Sequence, residues 1–259
     1  MATRTILFVH GLFMTYRCWD AWTGFFKDRG YDCRALPYPG RDAPVEALLQ
    51  AHPDPALGHL TLAQVIDSYQ TSIQAMPEPP AIIGHSLGGL ITQVLLSRGL
   101  GAAGVAIDSA PPLGVLTTKW SFVKSNWPIL NPLHAASEPY LMPFEAFQYA
   151  FVNDLPPADQ RLAYDRQVVP ESRRLGSGAL SDAARVDFSA KKVPLLLIAG
   201  STDHIIPSSL NRTNFERYRN NPSPTEFKEF SGRTHFGIGQ AGWQEIAQFV
   251  LEWLKKQGI

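Results

Sequence analysis

The 259 residues include 45% hydrophobic and 11% aromatic side chains, enough to fill the core of one large α/β domain and too many for a disordered chain. Twenty-three Lys and Arg balance 23 Asp and Glu, for a formal charge of +0. With no electrostatic surplus, nucleic acid and anionic lipid are poor partners, and a neutral or apolar small molecule is the expected substrate.

Two cysteines, Cys18 and Cys33, are too few for a disulfide framework, and no Cys/His spacing suggests zinc. Free thiols, no metal and no cofactor are expected. Met1 to Thr5 run straight into Ile6 to Val9, a stretch too short for a signal peptide. No apolar run approaches 18 residues, so a soluble cytoplasmic protein without membrane insertion is expected.

In chain order, strand-length apolar runs alternate with helical patterns. Ile6 to Val9 reads as strand, Cys18 to Lys27 as an amphipathic helix, and Tyr31 to Leu36 as strand. Ala51 to Gly58 reads as a surface loop. Leu62, Val65, Ile66, Tyr69 and Ile73 fall at helical spacing. Ala81 to Ile83 is strand, Leu87 to Ser97 helix, and Gly104 to Ile107 strand. Val193 to Ile198 (strand), Ser208 to Arg219 (helix), Thr225 to Phe230 (strand) and a last helix with Ile246, Phe249, Val250, Trp253 and Leu254 on one stripe complete the series. This alternation predicts an α/β fold, a doubly wound, mostly parallel sheet of about six strands.

One stretch departs from that rhythm. Residues 112–184 carry no strand pattern but are rich in aromatics and prolines, with short helices expected around Phe144 to Val152 and Ala158 to Gln167. A linker would be polar, so this stretch is expected to form a helical cap inserted into a core of residues 1–111 and 185–259. Phe13, Trp120, Phe122, Trp127, Phe147 and Phe236 are the candidates to line a substrate pocket.

The strongest chemical signal is Gly84-His85-Ser86-Leu87-Gly88, between an apolar strand and a helical pattern. A serine on such a tight turn projects its hydroxyl from the sheet edge, and the flanking glycines leave room where a Cβ would collide. A serine needs a base, and the base an orienting acid. Asp203 follows one late strand and His235 follows the last, so both reach the same rim as Ser86. Asp108, also at a strand end, competes for the acid's role. The amides of Leu87, at a helix N-terminus, and Leu12, after Gly11, are candidates for an oxyanion hole. His10 and His85 are expected to be structural, as is His204.

These pieces (Val9-His10-Gly11, the Gly84 to Gly89 segment, Gly200 to Pro207, and His235) resemble the α/β-hydrolase superfamily across nearly the whole chain except the cap. The resemblance implies Ser86 as nucleophile, Asp203 as acid, His235 as base, and a sheet lacking the family's first two strands. Compact members such as plant methyl esterases and hydroxynitrile lyases also begin at the His-Gly strand. The lyases carry Thr where this chain has Gly11 and Lys where it has Phe236, so the comparison favours an esterase acting on apolar or aromatic carboxylic esters. Lactone, thioester, amide or perhydrolytic chemistry would use the same triad, and a non-catalytic ligand-binding protein on this scaffold is the alternative of another class. Oligomeric state is not written in the sequence.

Overall fold

The computed structural model describes residues 4–259; Met1 to Thr3, and with them the reading of the chain's start, lie outside the described residues. The core strands are β1 (Thr5–Val9), β2 (Asp32–Ala35), β3 (Ala81–His85), β4 (Ala103–Ile107), β5 (Leu195–Gly200) and β6 (Thr225–Phe230). All pairings are parallel and the order is β2-β1-β3-β4-β5-β6. The six strands read from the sequence are therefore present.

Burial explains why they were legible. Strands β3, β4 and β5 are buried at every residue and β1 at four of five, so each reads as an unbroken apolar run. The two edges carry charge instead, with Asp32 and Arg34 on β2 and Lys228 and Glu229 on β6 exposed, which discourages pairing with another sheet.

Helices cover both faces. On one face lie α1 (Asp20–Lys27), preceded by a 3₁₀ turn at Tyr16–Trp19, and the C-terminal helix Gln244–Lys256. Between β2 and β3 come α2 (Val45–Gln50), α3 (Pro55–Gly58) and α4 (Leu62–Gln74). The expectation of a plain loop over Ala51 to Gly58 is thus corrected. Asp54 Oδ1 accepts the Ala56 N–H and Pro55 opens the helix, a short capped turn. After β3, α5 (Leu87–Ser97) is buried from Leu87 to Leu96, as expected of a helix apolar on all sides.

Between β4 and β5 the chain forms α6 (Trp120–Leu130), α7 (Phe144–Ala150), α8 (Pro157–Gln167) and α9 (Arg173–Ser177). No strand of the sheet comes from this segment among the described residues, and its Phe147, Phe151, Val152 and Val168 join the core on the α4–α5 side of the sheet. Helix α10 (Ser208–Glu216) follows β5, and the C-terminal helix is α11. No helix among the described residues is long and apolar enough to cross a membrane. Cys33 is buried and Cys18 partly so, both as free thiols.

Candidate active site

The strand order reverses direction between β1 and β3, and loops leaving two such neighbours diverge and open a crevice at their C-terminal ends. Ser86 follows β3 at that crevice, with φ 56° and ψ −120°. That region is costly for an L-residue, and the turn's packing enforces it. A Cβ on Gly84 would lie 2.0 Å from the Gly88 carbonyl oxygen, and one on Gly88 would lie 2.1 Å from that of Val9. Gly11, after β1, passes so close that a Cβ there would meet the Ser86 Cβ at 2.7 Å. The glycines let three backbone segments crowd around one hydroxyl.

His235 and Asp203 complete a row. His235 Nε2 lies 2.9 Å from Ser86 Oγ, and His235 Nδ1 lies 2.7 Å from Asp203 Oδ2. Asp203 Oδ1 accepts the N–H groups of Ile205 at 2.7 Å and Ile206 at 2.8 Å, which fixes the carboxyl after β5. Burial lowers the His235 imidazole to about 3, so it is neutral at pH 7 and has a lone pair to offer the serine proton. The second carboxyl, Asp108, follows β4 at φ 45° and accepts the Gly200 N–H at 2.7 Å.

Burial raises both carboxyls; Asp108 is raised further by the Asp203 charge, while the Ile206 and Ile205 amides pull Asp203 back down. Asp203, with two amide donors and the imidazole N–H, is the better stabilised of the two as a carboxylate.

The amides of Leu12 and Leu87 have no acceptor among the described residues and both line the cavity beside Ser86. Two free N–H groups beside the Ser86 hydroxyl are placed to donate to an oxyanion forming there. His10 pins the loop: its Nδ1 donates to the Gly11 carbonyl at 2.9 Å, and its ring stacks on Tyr38 at 3.7 Å. Burial lowers it to about 3. His204 Nδ1 donates to the Tyr149 carbonyl at 2.8 Å and so ties the loop carrying Asp203 to α7.

His85, Asp108 and His235 bring nitrogen and oxygen atoms within 4.8 Å of one another, a spacing a metal could use. Both His235 nitrogens are already engaged by Ser86 and Asp203, so a cation there would have to break the row.

The cavity is apolar. Phe13 and Phe122 line it, together with Ile129, Met142, Phe151, Ile205 and Ile206. Four of the sequence-based pocket candidates are corrected. Trp120 and Trp127 are 72% and 53% exposed. They share the outer face of α6 with Val123, while Phe122, Ser125, Asn126, Ile129 and Leu130 point into the cavity, as a 3.6-residue period requires. Phe147 is buried behind the lining, stacked on Phe151 at 4.8 Å. Phe236 faces a separate surface cleft shared with Leu162 and Trp243. Phe151, which sequence reasoning did not select, meets the His235 ring edge-on at 5.0 Å.

A family profile described as "Alpha/beta hydrolase family" matches residues 6–249, and the chain belongs to that family. Comparison with curated proteins finds no match. Among solved structures, a monoacylglycerol lipase from Paleococcus ferrophilus superposes with TM-score 0.71 at 18% identity, over 99% of this chain and 96% of the other. An extracellular alpha/beta-hydrolase from a Paenibacillus species gives 0.72 at 18% identity, over 96% and 98%. A methylesterase from Arabidopsis gives 0.69 at 14% identity, over 97% and 98%. At such identities the likeness is one of fold.

Proposed function

We propose that the protein is a serine carboxylesterase acting on esters with apolar acyl or aryl groups. The observation that carries this reading is the unbroken hydrogen-bonded row from Ser86 through His235 to Asp203, opening on an apolar cavity. Two of the structural neighbours bear the names of ester-cleaving enzymes, which is consistent with it.

In this mechanism Ser86 Oγ bonds to the ester carbonyl carbon while His235 Nε2 takes its proton. The carbonyl π pair moves onto oxygen, where the Leu12 and Leu87 amides donate to it. Asp203 keeps the Nδ1 proton hydrogen-bonded and stabilises the imidazolium. The intermediate collapses and the alkoxide leaves as alcohol with the proton from His235, leaving an acyl group on Ser86. Water then attacks the acyl carbon and gives its proton to His235. The second collapse returns that proton to Ser86 and frees the acid. The sum is ester and water to acid and alcohol. Segment 112–184 acts as a cap, with Phe122, Ile129 and Met142 shaping the site for the apolar group.

A panel of p-nitrophenyl esters, lactones and acyl-thioesters tests the substrate class. Hydrolysis of the esters, its loss in Ser86→Ala, and fluorophosphonate labelling of the wild type at Ser86 are the expected results. Full turnover in Ser86→Ala would sink the proposal.

A further inference from the structure

Phe13 adopts φ 65°, a left-handed conformation that strains a residue carrying a side chain. It directly follows Leu12, whose amide is one of the two free donors beside Ser86. A strained residue next to a donor that must stay aimed needs an outside restraint, and both polar groups of its backbone have one. The Phe13 N–H donates to Glu171 Oε2 at 3.3 Å, and the Phe13 carbonyl accepts the Val169 N–H at 3.0 Å. The two partners lie two residues apart in the segment between β4 and β5.

Glu171 is itself anchored on every side. It is 1% exposed, and its Oε1 accepts the Ser172 N–H at 2.9 Å. Its backbone exchanges two bonds with Tyr140, both 2.8 Å. Ser172 Oγ donates to the Leu60 carbonyl at 2.7 Å, and the Arg41 guanidinium donates to the Pro170 carbonyl at 2.6 Å. Burial pushes the Glu171 carboxyl up, while the Arg41 charge pulls it down. A carboxylate is suited to this place because each oxygen accepts from a different amide. A glutamine of the same shape has only one acceptor oxygen.

We propose that Glu171 is a positioning residue of the active site: with Val169 it clamps the Phe13 backbone, and so holds the Leu12 amide where the oxyanion forms. The inference rests on the esterase reading and extends it across the 158 residues of sequence that separate Glu171 from Phe13. The segment that roofs the cavity also sets the aim of an oxyanion donor in the core.

The test uses Glu171→Gln, Glu171→Ala and Ser86→Ala in the full chain, with kcat and KM for p-nitrophenyl butyrate. It adds the affinity for an alkyl trifluoromethyl ketone, whose adduct places an oxyanion in the hole, and a melting curve. Removing an oxyanion donor outright costs about 10²- to 10³-fold, so a loosened one is expected to cost about 10- to 100-fold. Glu171→Gln should lower kcat by that factor with KM within about threefold, and weaken the ketone in proportion. Glu171→Ala should fall further, so that glutamine restores part of the loss. A folded Glu171→Gln with near-normal kcat, a loss confined to KM, or a Glu171→Gln chain that does not fold would overturn the proposal. Wild-type turnover that survives in Ser86→Ala would instead mark the esterase reading as the failure.

Discussion

The Nε2–H of His85 donates to the backbone carbonyl of His235 at 2.7 Å, and the two rings sit 4.8 Å apart. The residue just before the nucleophile thereby grips the backbone of the base, so β3 positions Ser86 and restrains His235 at the same time. Burial holds the His85 imidazole well below its ordinary value, which leaves it neutral with its single ring proton committed to this bond. His85→Ala would strand a buried carbonyl, at a cost of about 1–3 kcal/mol in stability, and should reduce kcat as the base loosens. His85→Gln, which keeps a donor, should recover part of both. Urea unfolding and steady-state rates check the pair; an alanine variant that unfolds at the wild-type midpoint would contradict the bond's role.

Ser86 stores strain that only its chemistry justifies. At φ 56° glycine is unstrained, and Ser86→Gly leaves the close approach of Gly88 to the Val9 and His10 carbonyls intact. The variant should lose at least about 10³-fold in turnover while its stability stays level or rises by about 1 kcal/mol. A clear drop in melting temperature would mean the turn does not carry the strain its dihedral implies.

Asp108 and Asp203 compete on paper, and the hydrogen bonds separate them. Asp203→Asn presents the wrong partner to His235 Nδ1 and should cost roughly 10⁴-fold in kcat. Asp108, which accepts the Gly200 N–H, keeps its shape and acceptor oxygen as asparagine. Asp108→Asn should stay within about tenfold of wild type, since it leaves the row from Ser86 through His235 to Asp203 untouched. Equal losses at both positions would make the two carboxyls one functional unit.

What the sequence revealed follows from how far each feature depends on the chain's own local pattern. Buried strands announce themselves as apolar runs, and β3 and β5 thereby marked the positions of Ser86 and Asp203, whereas His235 was read from its place after β6, an edge strand with exposed charges. Helix α6 was hidden because Pro128 interrupts it and apolar residues occur on both its faces, leaving no single stripe. The same ambiguity misassigned Trp120 and Trp127: aromatic content says that a helix has something to bury, not which face is turned inward. The α3 turn, by contrast, had a legible signature in Asp54-Pro55. Glu171 had none, because a lone carboxylate acquires meaning only when the fold brings it to Phe13.

The two faces of α6 predict opposite outcomes. Trp120→Ser and Trp127→Ser remove exposed rings that do not line the cavity beside Ser86, and each should leave kcat/KM for short p-nitrophenyl esters unchanged and stability within about 0.5 kcal/mol. Phe122→Ala enlarges the cavity and should raise KM for short acyl chains while admitting longer ones. A chain-length series across the three variants measures this, and a shift in preference produced by Trp120→Ser would assign α6 the wrong face.

Acid should reveal how burial sets the base. His235 works only as the neutral imidazole, and burial lowers it from 6.5 to about 3, so kcat/KM should hold through pH 6 and decline at a midpoint below 6.5. Stability follows the same protons. Between about pH 3 and 6.5 the unfolded chain protonates His10 and His235 while the folded chain does not. Those two groups therefore make stability rise with pH across that window and fall as the solution is acidified. Asp108 and Glu171, raised by burial, bind protons more readily folded than unfolded, so they act in the opposite direction above the ordinary carboxylate range. The opposing slopes partly cancel in a melting curve, which makes the rate profile the cleaner readout. Measured from pH 4 to 9 on p-nitrophenyl butyrate, a kcat/KM midpoint at or above 7 would show that the Asp203 charge outweighs burial in setting the imidazole.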